Sequence, residues 1–412
     1  MTSVRNRRLL LNGNKLLFFI LVVFIASCSR KVVPPIKHPD EPGELPRAEQ
    51  PPVIVLEPRI NSIGLILPFY SSDVEEAAAA EDKNVRRADI ALEFYQGFKL
   101  ALDSLAKDGA HFQLEVLDGG DDAVSLANLA RSESVKNKDL LVGPVFPDGI
   151  RTFSELTPLL GKVLVSPLAA SSPSQYKNPA LVTLTNGIDQ HGAKVAEFIA
   201  KKYQPARVNL ILINTRTADA EKFATPFKKE LNTLSSAFQI FEVGNTIGIE
   251  KRLSKTKTNV VVVASEEQKF VMPTLYRLYR LKTAQKLAID LFGHPNWSRL
   301  NLDINQLQVL NTRISSSFHV DYSSENVRNF VGRYRSAYWE EPSEYAFKGF
   351  DTGYYFGSLL EKYGKEYVEN IGSSSYRGLH SDFLFSYDGQ YGFRNINLTI
   401  LQYKDFELKP VP

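Results

Sequence analysis

The 412-residue chain holds six histidines, at positions 38, 111, 191, 294, 319 and 380, and one cysteine, Cys28. No two histidines stand at metal-ligand spacing and one thiol cannot complete a tetrahedral site, so no metal is expected. Glycine-rich phosphate loops and a Gly-x-Ser-x-Gly nucleophile turn are both missing from the sequence. Asp118, Asp121 and Asp122 cluster, but a loop leading into a helix N-cap accounts for them without chemistry. The residues predict no catalytic group, no cofactor and no enzyme. They offer recognition at strand ends instead. Four loops follow short apolar runs: Pro68-Phe69-Tyr70-Ser71-Ser72, Gly143-Pro144-Val145-Phe146-Pro147-Asp148, Ser166-Pro167-Leu168-Ala169-Ala170-Ser171-Ser172 and Gly187-Ile188-Asp189-Gln190. If those runs are parallel strands, the amides and helix N-termini beyond their carboxyl ends face a ligand crevice. The third loop joins hydroxyls, small side chains and backbone groups, which suits a carboxylate or another small polar group. A plain serine-rich turn would have the same composition. Tyr70, Phe146, Trp297 and Tyr322 could stack on a sugar or apolar ligand, or serve as core and cleft rim.

The scaffold for these loops is legible in the hydrophobic pattern. Residues 63–69 form a continuous apolar run, as in a strand buried on both faces. Residues 88–105 repeat apolar side chains at helical spacing, and 112–117 alternate before the turn Asp118-Gly119-Gly120. A strand at 140–145, a helix at 149–160 and a strand at 163–167 continue the alternation. A second series follows, with helices at 191–203, 221–234 and 266–281 and strands at 208–214, 238–243, 260–264 and 287–292. A strand at 314–320, helices at 324–338 and 345–363, and closing strands near 383–386 and 398–403 complete it. This is α/β grammar with parallel sheets covered by helices. An acidic, alanine-rich insert at 73–82 reads as a solvated loop.

The first 27 residues carry Arg5, Arg7, Arg8 and Lys15, an apolar run at 16–25, then Ala26 and Ser27. That order matches a secretory signal peptide, and the run is shorter than the roughly 20 residues of a membrane span. Ile25-Ala26-Ser27-Cys28 resembles a bacterial lipobox, so Cys28 is expected to be lipidated and to hold the chain to a membrane. Taking the four signal-peptide cations from a net charge of +3 leaves −1, which argues against a nucleic-acid partner. Residues 28–59 read as a proline-rich tether, with eight prolines from Pro34 to Pro58 and a reach of roughly 90 Å when extended. Ser29 is not the aspartate that typically retains lipoproteins at the inner membrane, so the outer membrane, facing the periplasm, is the expected location.

Ile63-Gly-Leu-Ile-Leu-Pro, Phe94-Tyr-Gln-Gly-Phe-Lys-Leu-Ala-Leu-Asp, Leu141-Val-Gly-Pro and Val165-Ser-Pro-Leu-Ala-Ala-Ser-Ser occur in an order that resembles type I periplasmic binding proteins, notably the leucine/isoleucine/valine-binding proteins. Gly187-Ile-Asp-Gln-His-Gly is similar to that family's first crossover, Pro342-Ser-Glu-Tyr-Ala-Phe-Lys-Gly-Phe-Asp to its late helix, and Phe385-Ser-Tyr-Asp-Gly-Gln-Tyr-Gly to its closing strands. The resemblance spans residues 60–412 and implies two Rossmann-like lobes around a central cleft that closes by hinge motion. It places lobe 1 at 60–187 and 321–390, and lobe 2 at 188–320 and 391–412. It also places Ala169, Ala170, Ser171, Ser172 and Asp189 at the ligand; the strand-end loops add Tyr70, Ser71, Pro147 and Asp148 as candidates, and the second-lobe turn adds His294, Asn296 and Trp297. The second lobe carries Gly293-His294-Pro295-Asn296-Trp297 where amino-acid binders usually place an acidic residue, so a zwitterion would lack its usual counter-charge. A narrower resemblance, through Leu67-Pro-Phe-Tyr, Leu92-Glu-Phe-Tyr-Gln-Gly, Phe292-Gly-His-Pro-Asn-Trp and Gly349-Phe-Asp-Thr-Gly-Tyr-Tyr-Phe, is to Bacteroidetes envelope lipoproteins that pair this fold with LysM. No LysM-like segment is evident in the sequence. Val263-Ala-Ser-Glu-Glu-Gln is similar to a stretch of the outer-membrane lipoprotein activators of penicillin-binding proteins. Two functions are therefore expected: capture of a small polar solute (amino-acid-like, or muropeptide- or sugar-like) for an importer, or regulation of the envelope through peptidoglycan or a cell-wall synthase.

Overall fold

The first strand, β1 (Asn61–Leu67), is buried on both faces, which is why its sequence is continuously apolar. The computed structural model describes residues 59–69, 82–120, 123–156, 162–373 and 375–411. The signal segment, Cys28, the proline-rich stretch, Tyr70, Ser71 and all of the acidic insert except Asp82 lie outside the described residues. The described residues belong to a single compact unit.

Chain order after β1 is α1 (Asp82–Lys107), β2 (Phe112–Asp118), α2 (Ala123–Arg131), α3 (Glu133–Lys136), β3 (Leu140–Val142), α4 (Pro147–Leu156), β4 (Leu164–Ser166) and β5 (Leu181–Thr183). A second series repeats the plan with α5 (Ile188–Lys202), β6 (Val208–Ile213), α6 (Ala218–Leu234), β7 (Ile240–Val243), β8 (Thr258–Val263), α7 (Gln268–Gln285), β9 (Ile289–Phe292), α8 (Ile304–Val309) and β10 (Arg313–Ser316). Two helices, α9 (Glu325–Tyr338) and α10 (Glu344–Tyr363), precede the closing strands β11 (Phe385–Asp388), β12 (Gly392–Asn395), β13 (Thr399–Lys404) and β14 (Glu407–Pro410).

These strands form two seven-stranded sheets, ordered β11-β12-β5-β4-β3-β1-β2 and β14-β13-β10-β9-β8-β6-β7. In each sheet five consecutive strands, β1–β5 and β6–β10, are parallel and reverse their order between the first and third, the doubly wound arrangement with its crevice at the strand carboxyl ends, and β12 adds a sixth parallel strand to the first sheet. Each sheet has its own core. Ile63, Leu65, Phe94, Phe98 and Phe356 pack in the first lobe, and Val261, Leu275, Leu291 and Trp297 in the second. Along the first lobe's outer layer α10 lies against α1 with almost no gap. A side chain at Gly349 would meet the Phe94 carbonyl, and one at Gly97 would meet the Ala346 carbonyl.

Three segments join the lobes, at 184–187, 317–324 and 396–398. Asn395 ties the first and third together. Its Nδ2 donates to the Leu184 carbonyl at 3.0 Å and the Asp382 carbonyl at 3.1 Å. Its own carbonyl accepts from Asn186 and Gln190, both at 2.8 Å. The chain therefore leaves the first sheet only after Asn395, because β12 pairs with β5. The expected lobe boundary at 390 falls inside the β11–β12 hairpin and moves to about 396. The closing region also holds four strands where two were expected, and the strand expected at 314–320 ends at Ser316, where the chain turns into the second connection.

Candidate functional site

A cavity of about 460 Å³ lies between the lobes at the carboxyl ends of their parallel strands, within the size range of small-molecule sites. The first lobe supplies the start of α4, the 167–170 loop after β4, and one face of α10. The second supplies α5, the turn Pro295–Arg299 after β9, and the end of β10. Phe146, Leu168, Leu184, Phe318 and Phe383 make much of the wall apolar, and Ser298, Ser315, Ser317 and Ser381 add hydroxyls.

Charge enters at one end. Lys348 on α10 pairs with Glu344 one turn earlier at 3.0 Å, and Arg299 reaches the same carboxylate from the second lobe at 3.2 and 3.3 Å. Burial lowers the Lys348 pKa, opposed by Glu344. Ser343 caps the start of α10, accepting the Tyr345 amide at 3.1 Å and bonding Glu93. Deeper in α10 the buried carboxylate of Asp351 accepts three successive backbone amides, from Leu379, His380 and Ser381, at 2.8, 2.9 and 2.8 Å. Burial raises its pKa to about 7 against those donors. The clamp holds Ser381 at the cavity and lays the His380 ring on Phe318 with centroids 4.2 Å apart.

His191, in the first turn of α5, lines the opposite side. The Ser315 hydroxyl donates to the His191 carbonyl at 3.4 Å, so its oxygen accepts from Nδ1–H at 2.9 Å. Nε2 then accepts from the Ser317 hydroxyl at 3.2 Å. Burial, reinforced by His294, lowers the His191 pKa from 6.5 to about 3. A histidine with a lowered folded-state pKa contributes stability that is full above about pH 6.5. That stability is lost as pH falls toward 3, because the unfolded chain binds the proton first. Between pH 7 and pH 4 this amounts to on the order of 3 kcal/mol. Asp351 acts in the opposite direction, so the check is a difference. Urea unfolding of the native chain and of His191→Gln at both pH values should show the native chain losing more on acidification. Parallel losses would remove His191 as their source.

Of the expected site residues, Pro147, Ala169, Ala170 and Asn296 line the cavity. Ser171 and Ser172 sit just beyond it, where the Ser172 hydroxyl meets Ser174 at 2.9 Å. Asp148 opens instead onto a smaller pocket of the first lobe. Asp189 turns away to Arg394, at 2.8 and 2.7 Å, because that cation on β12 lies across the first connection. His294 is buried behind the wall, its Nδ1 accepting the Asn296 amide at 3.3 Å. Trp297 is not a stacking surface. It is 1% exposed, packed in the second lobe's core with Nε1 donating to the Ser265 carbonyl at 2.9 Å. Phe146 lines the cavity beneath the Arg87 guanidinium, at 4.3 Å, and Tyr322 is exposed on the surface. His191, Arg299, Ser315, Ser317 and Lys348 were not singled out from sequence. Only the Glu344/Lys348 spacing of four on a helix carried a local signal.

Two doubly wound lobes, three connections and a cavity between strand ends define the type I periplasmic-binding-protein fold. The comparisons with known structures agree. A Rhodospirillum rubrum protein assigned as a branched-chain amino acid ABC transporter superposes with a TM-score of 0.63 at 16% identity, covering 86% of this chain and 100% of its own. An ABC transporter substrate-binding protein of Desulfitobacterium hafniense in complex with leucine gives 0.53 at 14%, covering 86% and 100%. A solute-binding protein of Rhodopseudomonas palustris in complex with 3,4-dihydroxybenzoic acid gives 0.50 at 14%, covering 85% and 96%. At these identities the likeness is one of fold. No protein-family model and no curated protein matches the sequence. Among the described residues no helix is long and apolar enough to cross a membrane, and no cluster of three or more histidine, cysteine or acidic side chains could hold a metal.

Proposed function

We propose that the chain is a non-enzymatic solute-binding protein that captures a small ligand between its lobes, as the binding component of an ABC importer does. The observation that carries this reading is the interlobe cavity, whose walls come from both lobes while Asn395 ties two of the three connections between them. Ligands in that position gain contacts on closure, and the neighbours of this fold that hold leucine or a benzoic acid support the reading. Lipid attachment at Cys28, with the protein facing the periplasm from the outer membrane, completes the proposal. A second reading is favoured by the proline-rich composition of residues 29–59, which would suit a tether for a regulator or scaffold touching peptidoglycan or a cell-wall synthase.

A thermal-shift screen of amino acids, organic acids, small sugars and muropeptides separates the two. A ligand at a hundredfold its dissociation constant adds about 2.7 kcal/mol of stability, so a true ligand should raise the melting temperature clearly. If nothing in the screen stabilises the chain while a cell-wall synthase co-purifies with it, import is the wrong reading.

A further inference from the structure

The charged side chains that line the interlobe cavity, among the described residues, are Lys348 from the first lobe and Arg299 from the second. No described aspartate or glutamate faces it, and His191 is held neutral by burial. The two cations converge on one atom, Glu344 Oε2, at 3.0 and 3.3 Å. Glu93, bonded to Ser343 behind the start of α10, is a second carboxylate near this end, its pKa raised by burial, but the charges on the cavity lining itself are the two cations. The Lys348 side chain is 15% exposed, with its ammonium 5.6 Å from the Phe318 ring and 5.2 Å from the Tyr345 ring. Its field is therefore poorly screened by water. Lys348 has three N–H donors and Arg299 five, more than Glu344 can accept. The chain thus already displays what this pair of cations binds, a carboxylate held from both lobes at once.

The rest of the cavity suits an apolar body. Phe146, Leu168, Leu184, Phe318 and Phe383 face the space, and the nearby Ser298, Ser317 and Ser381 hydroxyls can serve polar substituents. An ammonium brought here would meet like charge and no lining carboxylate, and an unpaired buried ammonium is costly.

We propose that the cavity takes a small organic anion, a carboxylate on an apolar body without an ammonium group, bound between Lys348 and Arg299. This rests on the solute-binding reading and narrows it. A bound carboxylate would join the lobes through the same two cations that Glu344 already joins, so the charge that selects the ligand also favours closure.

Four probes of related shape test the class: 4-methylpentanoate, benzoate, leucine and 3-methylbutylamine, titrated into the full chain by calorimetry. The two carboxylates should bind and the zwitterion and amine should bind at least tenfold more weakly. Arg299→Gln and Lys348→Met should each weaken benzoate at least tenfold. Arg299 is 61% exposed, so its variant should fold even if loss of the more enclosed Lys348 disturbs α10. Leucine or the amine binding more tightly than 4-methylpentanoate would overturn the proposal and leave the solute-binding reading standing. Carboxylate affinity unchanged in both variants would do the same. Failure of all four probes, together with neutral sugars and muropeptides, would remove the solute-binding reading and this inference with it.

Discussion

Replacing Gly349 with valine should destabilise the protein by more than 3 kcal/mol, because overpacking against immovable backbone exceeds the usual cost of 1–3 kcal/mol for overfilled cores. A Cβ at this position of α10 would fall on the Phe94 carbonyl of α1, and 3.0 Å from the Phe98 nitrogen. Neither atom belongs to a side chain that can swing aside. The two helices would have to separate, and the side chains packed between them, Phe94, Phe98 and Phe356, would lose their fit to one another. Gly97 meets α10 in the same way from the other helix, so Gly97→Val should behave alike. Gly244 is the control, since a Cβ there meets nothing within 4 Å, and Gly244→Ala should be nearly neutral. Equilibrium urea unfolding followed by circular dichroism measures all three. A Gly349→Val protein as stable as Gly244→Ala would show that the helices are not held at that distance by the rest of the lobe.

Trp297→Ala should cost about 3–5 kcal/mol, the range for deleting a large buried aromatic. The indole packs with Leu275, Leu291 and Leu307 in the second lobe, and its N–H bond to the Ser265 carbonyl would leave that acceptor without its partner. A ligand-stacking tryptophan would behave differently, losing affinity while stability held. Trp297→Phe keeps most of the packing and forfeits the hydrogen bond, so it should fall between the two. The measurement is convenient because the only other tryptophan, Trp339, is 92% exposed. In a Trp339→Phe background, Trp297 alone should emit at short wavelength in the folded state and shift red on unfolding. Emission already red-shifted in the native protein would contradict the buried assignment.

How far the sequence could be read follows from the range of the forces involved. β1 was legible because a strand covered on both faces needs an unbroken apolar run, and Ile63, Leu65 and Leu67 meet that need locally. The long helices α1 and α10 announced themselves by spacing, and the 167–170 loop by its place after a strand. β5 is only Leu181-Val182-Thr183, too short to carry a period, and it is a strand because Leu164 and Val165 lie alongside it. β12 and β14 likewise exist through pairing, so the lobe boundary could not be placed from local pattern. Trp297 illustrates the limit for side chains. Its type fits a ligand platform or a core equally well, and burial is decided by what α7 and β9 bring around it. Arg299 and Lys348 lie 49 positions apart and meet only because two lobes fold toward each other.

The two lobes also share a history during synthesis. The first contains β1 through β5, yet its outer helix α10 and its sixth strand β12 lie beyond the whole of the second sheet's parallel core in sequence. As the chain emerges, Phe94 and Phe98 on α1 remain without their α10 cover until residue 363 has been made, and β5 remains without its β12 neighbour until residue 395. The second lobe's parallel strands can assemble first, although it too awaits β13 and β14. Early strands with an open edge and an uncovered apolar helix are prone to association. Completion of the first lobe therefore waits for its last elements; a chain truncated before Glu344 would present both hazards permanently, and one truncated between Tyr363 and Gly392 would present the open β5 edge.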